Sequence, residues 1–302
     1  MTAVTPDAAP SALERRYRRL LLAYPPHYRA AHGDELLDVL LADAAGRKVP
    51  PLKETWGLLV GGVRSRIIHQ ATGSAWADGL HLAVTAVAAA HLAALLPYAG
   101  TLPVWTLLSA LALLAVLRGR VVAAVPLTFV TGVKALAIAS GEQPFDVTLL
   151  PVYPSWLSGQ ALFADSDPFA VAAGYAVTLI GLLVLASRRQ ALRTRSWWWV
   201  AAALAAAWAG PAWMAEERGF PLSLSRMAVE AAAFGLATAS AYLARDHRWA
   251  LASGVYLAVA SGPFVMHAEN LTRQHLAYWG VLVLLVAATA FAPFHRRRHC
   301  LD

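Results

Sequence analysis

Lys134 and Glu230 each stand inside a long apolar run, and those are the two positions where charge is most expensive. A lone charge at the centre of a membrane helix costs about 2.5–3.5 kcal/mol, so such residues pair, face a cavity or mark a site. At 1.5 Å per residue both lie roughly 9–10 Å in from the same side, which is the depth match an interhelical ion pair needs. The alternative is that Lys134 snorkels outward along its stem while Glu230 reaches headgroups or is partly protonated. His81 and His91 sit ten residues apart in the first apolar run, with no acidic neighbour inside it. That spacing is not the H-E-x-x-H of a helical zinc protease, and bundle-facing histidines bonded to neighbours are expected instead. The acids of Asp165-Ser166-Asp167-Pro168 suit a solvated turn better than a calcium site. No G-x-S-x-G, Walker A or G-x-G-x-x-G stretch occurs. Cys300 is the only cysteine, which excludes an internal disulfide and a cysteine zinc cluster. No cofactor and no catalytic residue is expected.

The elements that must position these residues are apolar helices. Of 302 residues 58% are hydrophobic and 14% charged, against about 25% charged in an ordinary soluble domain; mean hydropathy is +0.51. Residues 1–76 hold ten of the 25 Lys and Arg and seven of the 18 Asp and Glu. Beyond them, apolar runs at roughly 77–98, 102–117, 120–140, 169–187, 197–215, 223–244, 249–267 and 275–293 predict about eight membrane-spanning helices. The second is short and could form a tight hairpin with the first. The fold class is therefore all-α: a polytopic bundle over 77–294, a small helical cap over 11–76, a disordered start at 1–10 and a basic tail at 295–302. The first long apolar run begins near Ala77, so no cleavable signal peptide is expected.

Basic residues cluster at alternate ends of the runs. Arg64, Arg66, Arg118, Arg120, Arg188, Arg189, Arg193, Arg195, Arg245, Arg248 and Arg296–Arg298 share one side, whereas 141–168 holds four acids and no Lys or Arg. The positive-inside rule then places both termini and the cap in the cytoplasm of a cell whose inner, or plasma, membrane the chain spans. Trp197, Trp198 and Trp199 follow one basic cluster as an interfacial belt would.

In the cap, Ser11 and Glu14 form an S-x-x-E capping box. Leu13, Tyr17, Leu20, Leu21 and Tyr24 repeat at helical spacing, with Arg15, Arg16, Arg18 and Arg19 around them. Such an arginine run suits anionic lipid headgroups, and no nucleic-acid motif accompanies it. Pro25 and Pro26 end that helix. A second helix, which Gly33 could bend, turns Leu36, Leu37, Leu40 and Leu41 inward. A third, after Pro50-Pro51, has Leu52, Trp56, Leu59, Val63 and Ile67 as its inward face.

Tyr24, Pro25, Tyr28, Arg29, Gly33 and Glu35, with Leu36, spell Y-P-x-x-Y-R-x-x-x-G-x-E-L. This resembles the short N-terminal prefix domain ahead of the membrane spans of some bacterial permease-like proteins, and the opening of many actinobacterial integral membrane proteins. The resemblance covers about a quarter of the chain, and His32 stands where an aromatic is more usual. It implies a cytoplasmic domain label. Permease activity is not implied, because no large extracytoplasmic domain and no nucleotide-binding domain follow. Packing alone would put Tyr24 and Tyr28 in the cap core and pair Arg29 with an acid such as Glu35.

The expected function is that of a membrane scaffold or regulator whose cap meets the lipid surface or a protein partner. The rivals are a small-solute or lipid transporter, with Pro126, Pro211 and Pro263 as kinks, and an intramembrane enzyme. Compartment reporters fused ahead of residue 1 and after residue 302 should both read cytoplasmic, and one within 141–168 external; termini on opposite sides overturn the topology.

Overall fold

The computed structural model describes residues 11–44, 47, 49–70, 73–156, 160–164, 166–188, 192–209, 224–266 and 268–295. The expected disordered start, the basic tail beyond 295, Pro211 and Asp165 lie outside them. Every regular element among the described residues is helical. The chain divides into two compact units, Met1–Thr72 and Gly73–Asp302.

The first unit holds α1 (Ala12–Leu21), α2 (Pro26–Asp43) and α3 (Leu52–Gln70). Ser11 and Glu14 form the reciprocal capping box that satisfies the first backbone donors of α1. Pro26 occupies the first position of α2, where a missing N–H costs nothing. Gly33 does not interrupt α2, which is continuous through it. Tyr17, Leu21 and Leu37 form the buried core, with Leu36, Leu40, Leu41 and Leu58 packed around it.

The third helix differs from expectation in its rotation. Trp56 is 70% exposed and Leu52 88%, and Leu59, Val60 and Val63 are exposed too. The inward side instead carries Glu54, Leu58, Gly61 and Gly62. Arg66 ties this side of α3 to the end of α1: it donates from Nε to the Ala23 carbonyl at 2.5 Å and from Nη2 to the Leu22 carbonyl at 2.5 Å. Those carbonyls follow the end of α1, where no helical partner remains for them. The clamp brings α3 so close that a Cβ on Gly62 would lie 2.6 Å from the Ala23 Cβ. Tyr17 adds a hydrogen bond of 2.7 Å to Glu54.

The second unit comprises α4 (Ala75–Leu95), α5 (Pro103–Leu117), α6 (Val121–Ala139), α7 (Pro168–Ser187), α8 (Trp198–Trp208), α9 (Leu224–Ala244), α10 (Arg248–Ala260), α11 (Gly262–Met266) and α12 (Arg273–His295). It forms a multi-pass helical bundle. Among the described residues six helices, not eight, are long and apolar enough to cross a membrane: Ala75–Tyr98, Val121–Ala139, Pro168–Ser187, Ser225–Ala244, Arg248–Met266 and Arg273–Phe294. At 15 residues, α5 reaches only about 22 Å, short of the roughly 30 Å hydrocarbon core. Pro103 starts it and the Gly119 turn closes it. Gly119 has φ +71°, and a Cβ there would meet the Leu192 carbonyl oxygen at 2.9 Å. The described part of α8 is 11 residues, and the rest of the expected 197–215 span lies outside the described residues. Residues 75 and 76, expected in the cap, belong to α4, because Ser74 caps that helix.

Within the bundle α4 packs against α5, α7, α8 and α10. Several of its polar groups bond within the bundle. His81 donates from Nε2 to the Val116 carbonyl at 2.8 Å, and Thr85 donates to the His81 carbonyl at 2.7 Å. At its start, Asp78 accepts from Arg195 at 2.6 Å and from Arg248 at 2.7 Å, and Arg248 also holds Asp246 at 2.9 Å. Arg248 is 1% exposed at its side chain, so an unanswered charge there is costly. Asp78→Asn should destabilise the bundle by about 3–5 kcal/mol, the usual cost of breaking a buried pair. A lower melting temperature and folded yield in detergent would register it; wild-type stability would show that the network is not structural.

Candidate functional site

Lys134 and Glu230 do not meet; each has a nearer partner. The Lys134 Nζ pairs with the Asp146 carboxylate and donates to the Pro144 carbonyl at 3.1 Å. Asp146 also accepts from Trp105 Nε1 at 2.6 Å and from the Thr148 hydroxyl. The ammonium lies 5.4 Å from the Trp105 ring centroid, within cation–π range. The loop after α6 thus folds back over the bundle end. Trp156 donates to the Leu96 carbonyl at 3.0 Å, Ser155 donates through its N–H to Pro97 at 2.9 Å, and Val152 and Leu162 pack with Tyr98 and Trp105. Burial alone would raise the Asp146 carboxyl. The hydrogen bonds from Lys134, Thr148 and Trp105 and the lysine charge outweigh it and hold the group at about 2, below its ordinary 3.8.

Glu230 accepts from Arg226 Nε at 2.6 Å, from the Tyr278 hydroxyl at 2.6 Å and from the Tyr256 hydroxyl at 3.2 Å. Arg226 is four residues before Glu230 on the same helix face, a spacing legible in the sequence. Depth matching pointed instead to a distant residue. The Asp146 signal was the acid-rich, Lys- and Arg-free loop itself. Beside Arg226 and Tyr256 lies a cavity of about 230 Å³, also reached by His91 and Tyr175.

The histidines expected to bond to neighbours divide. His81 is bonded to Val116, and His91 stacks on Tyr175 with ring centroids 3.9 Å apart. Among the described residues no three His, Cys, Asp or Glu side chains converge as a metal ion would require. Asp167 caps α7 by accepting from the Phe169 N–H at 2.7 Å.

In the cap, Arg15, Arg16, Arg18 and Arg19 are exposed, and Arg18 holds Glu14 at 2.9 Å. The motif residues build the α1–α2 turn. Tyr24 and Tyr28 stack at 5.2 Å, Pro25 is buried, and the Tyr24 hydroxyl lies where a Gly61 Cβ would come within 2.5 Å. Arg29 does not pair with Glu35. Six residues separate them along α2, and Glu35 lies 3.8 Å from His32 instead. With this geometry known, comparison finds no matching family model, no similar curated protein and no similar solved structure.

A carboxyl lowered in the folded state adds stability above its ordinary value and loses it as pH falls toward the folded one. The Asp146 contribution should therefore be intact above pH 4 and vanish toward about 2. The indole N–H resonance of Trp105 should move with that low midpoint, and Lys134→Met should raise it; a midpoint near 4 in both proteins would remove Lys134 from the account.

Proposed function

We propose that the protein is a plasma-membrane scaffold or regulator, with both termini cytoplasmic, whose cap docks on anionic lipid at the cytoplasmic surface and thereby presents itself to membrane partners. The observation that carries this reading is the outward apolar stripe of α3, formed by Leu52, Trp56, Val60 and Val63. A helix with one apolar face including Trp, bordered by basic residues, is suited to lie in the headgroup region. Lys53 and Arg64 border the stripe, and the four arginines of α1 are exposed in the same unit. Basic residues near an anionic surface each contribute about 1 kcal/mol. The Y-P-x-x-Y-R resemblance supports the same view of the cap as an accessory domain. One observation favours a second reading, a small-solute or lipid transporter: the cavity in the bundle, beside which Pro263 lies in α11.

The test uses the full chain in nanodiscs, with Trp56→Cys and Cys300→Ser and an environment-sensitive fluorophore at position 56. Emission should shift to the blue with anionic lipid and revert at high salt, where charges are screened. Trp56→Asp should leave the cap folded, since the site is exposed, and weaken docking. Equal emission in neutral and anionic discs overturns lipid docking, and a label shielded only in native membranes assigns the stripe to a protein partner.

A further inference from the structure

The ion pairs of the bundle described above are closed by neighbours, whereas Tyr175 and His91 turn to a cavity. Tyr175 on α7 is 6% exposed, and His91 on α4 stacks on it in nearly parallel planes, 13° apart. Neither the Tyr175 hydroxyl nor the His91 imidazole has a hydrogen-bond partner among the described residues. Both line the cavity of about 230 Å³ bounded by α4, α7, α8, α10 and residues 160–164. The rest of its wall is largely small and apolar, with Ala206 and Ala260 on different helices. Gly174 keeps the wall open beside the imidazole: a Cβ there would lie 3.5 Å from His91 Nε2 and 3.3 Å from Val259.

We propose that this cavity binds a neutral, mostly apolar molecule of about one ring, or a short chain, that carries a single hydroxyl held by Tyr175 and His91. Size supports the class, since an apolar cavity of about 150 Å³ takes benzene. Chemistry supports the head group. A phenol hydroxyl and a neutral imidazole together offer donors and acceptors, which a ligand hydroxyl can match by accepting one bond and donating another. Charge supports neutrality, because Arg226 at the wall is already bound to Glu230, and an anion would have to compete with that carboxylate. The ligand could be a membrane-derived alcohol or a phenol arriving from water. This inference stands apart from the cap and its docking.

The test is binding of 4-ethylphenol and ethylbenzene to the full chain in nanodiscs, which share a body and differ by the hydroxyl. Both should bind saturably, the phenol roughly three- to tenfold more tightly after correction for partitioning, the range a net hydrogen bond supplies. Tyr175→Phe should erase that preference and leave ethylbenzene binding intact. Ala206→Phe should abolish binding of both, and Ala260→Phe repeats the block from another wall should the first variant misfold. Mass spectrometry of protein from native membranes separates the sources: a stoichiometric neutral alcohol lost in Ala206→Phe indicates the membrane, and an empty protein that still binds the probe indicates water. Absence of saturable binding, undiminished binding in both filled variants, or a hydroxyl preference that survives Tyr175→Phe overturns the proposal; the first of these leaves water as the cavity's occupant.

Discussion

The carboxylate of Asp78 lies between two guanidiniums, and the arrangement of the bundle follows from that position. Arg195 and Arg248 come from segments far apart in the chain, and each reaches the same acid. Without it, two cations would face one another in a nearly dry setting, where Coulomb repulsion is strong. With it, the start of α4, the segment before α8 and the start of α10 are fixed at one end. A Cβ on Gly79 would come 3.0 Å from the Arg248 carbonyl, so the backbones of α4 and α10 are nearly in contact there. The Arg195 N–H adds a bond of 2.7 Å to the Leu117 carbonyl, which ties in the end of α5.

The same logic governs the other buried charges. Lys134 is answered by a loop carboxylate and Glu230 by an arginine one helical turn away. Each pair removes the need for a distant partner, so the bundle carries local electrostatic locks instead of one polar line through its centre. Against this background Tyr175 and His91 are set apart by the cavity they share. In the cap the balance is opposite: Glu54, Leu58 and two glycines take the packing face of α3, and Leu52, Trp56, Val60 and Val63 are left outside.

Much of the architecture was legible in the residues. Apolar runs with charged punctuation marked the helices, and the S-x-x-E box marked the first one. The rest depended on tertiary competition. The apolar stripe of α3 predicts its own burial, but the Gly61-Gly62 side lies against the α1–α2 turn, where only glycine fits, and Arg66 bonds the carbonyls after Leu21 on that side. Eight apolar runs suggested eight spans, yet hydropathy does not measure where a helix stops; Pro103 and the positive φ of Gly119 do that for α5. Depth matching paired Lys134 with Glu230 because a loop was read as solvated, while Trp105 and Thr148 draw Asp146 onto the bundle.

The separation of Asp78 from its partners has a consequence for the order of assembly. Arg195 is 117 residues further along the chain and Arg248 is 170. A chain made from its N-terminus therefore inserts α4, the helix all its neighbours use, long before either cation exists. Until then the acid is sheltered only by its place in the first turn of α4, where the positive end of the helix dipole favours it and headgroup water can reach it. The early helices α4 to α7 already share a core of Val84, Val116, Val121 and Leu182, so apolar packing precedes the ion pairs, and the contact that closes the start of α4 is among the last that synthesis permits.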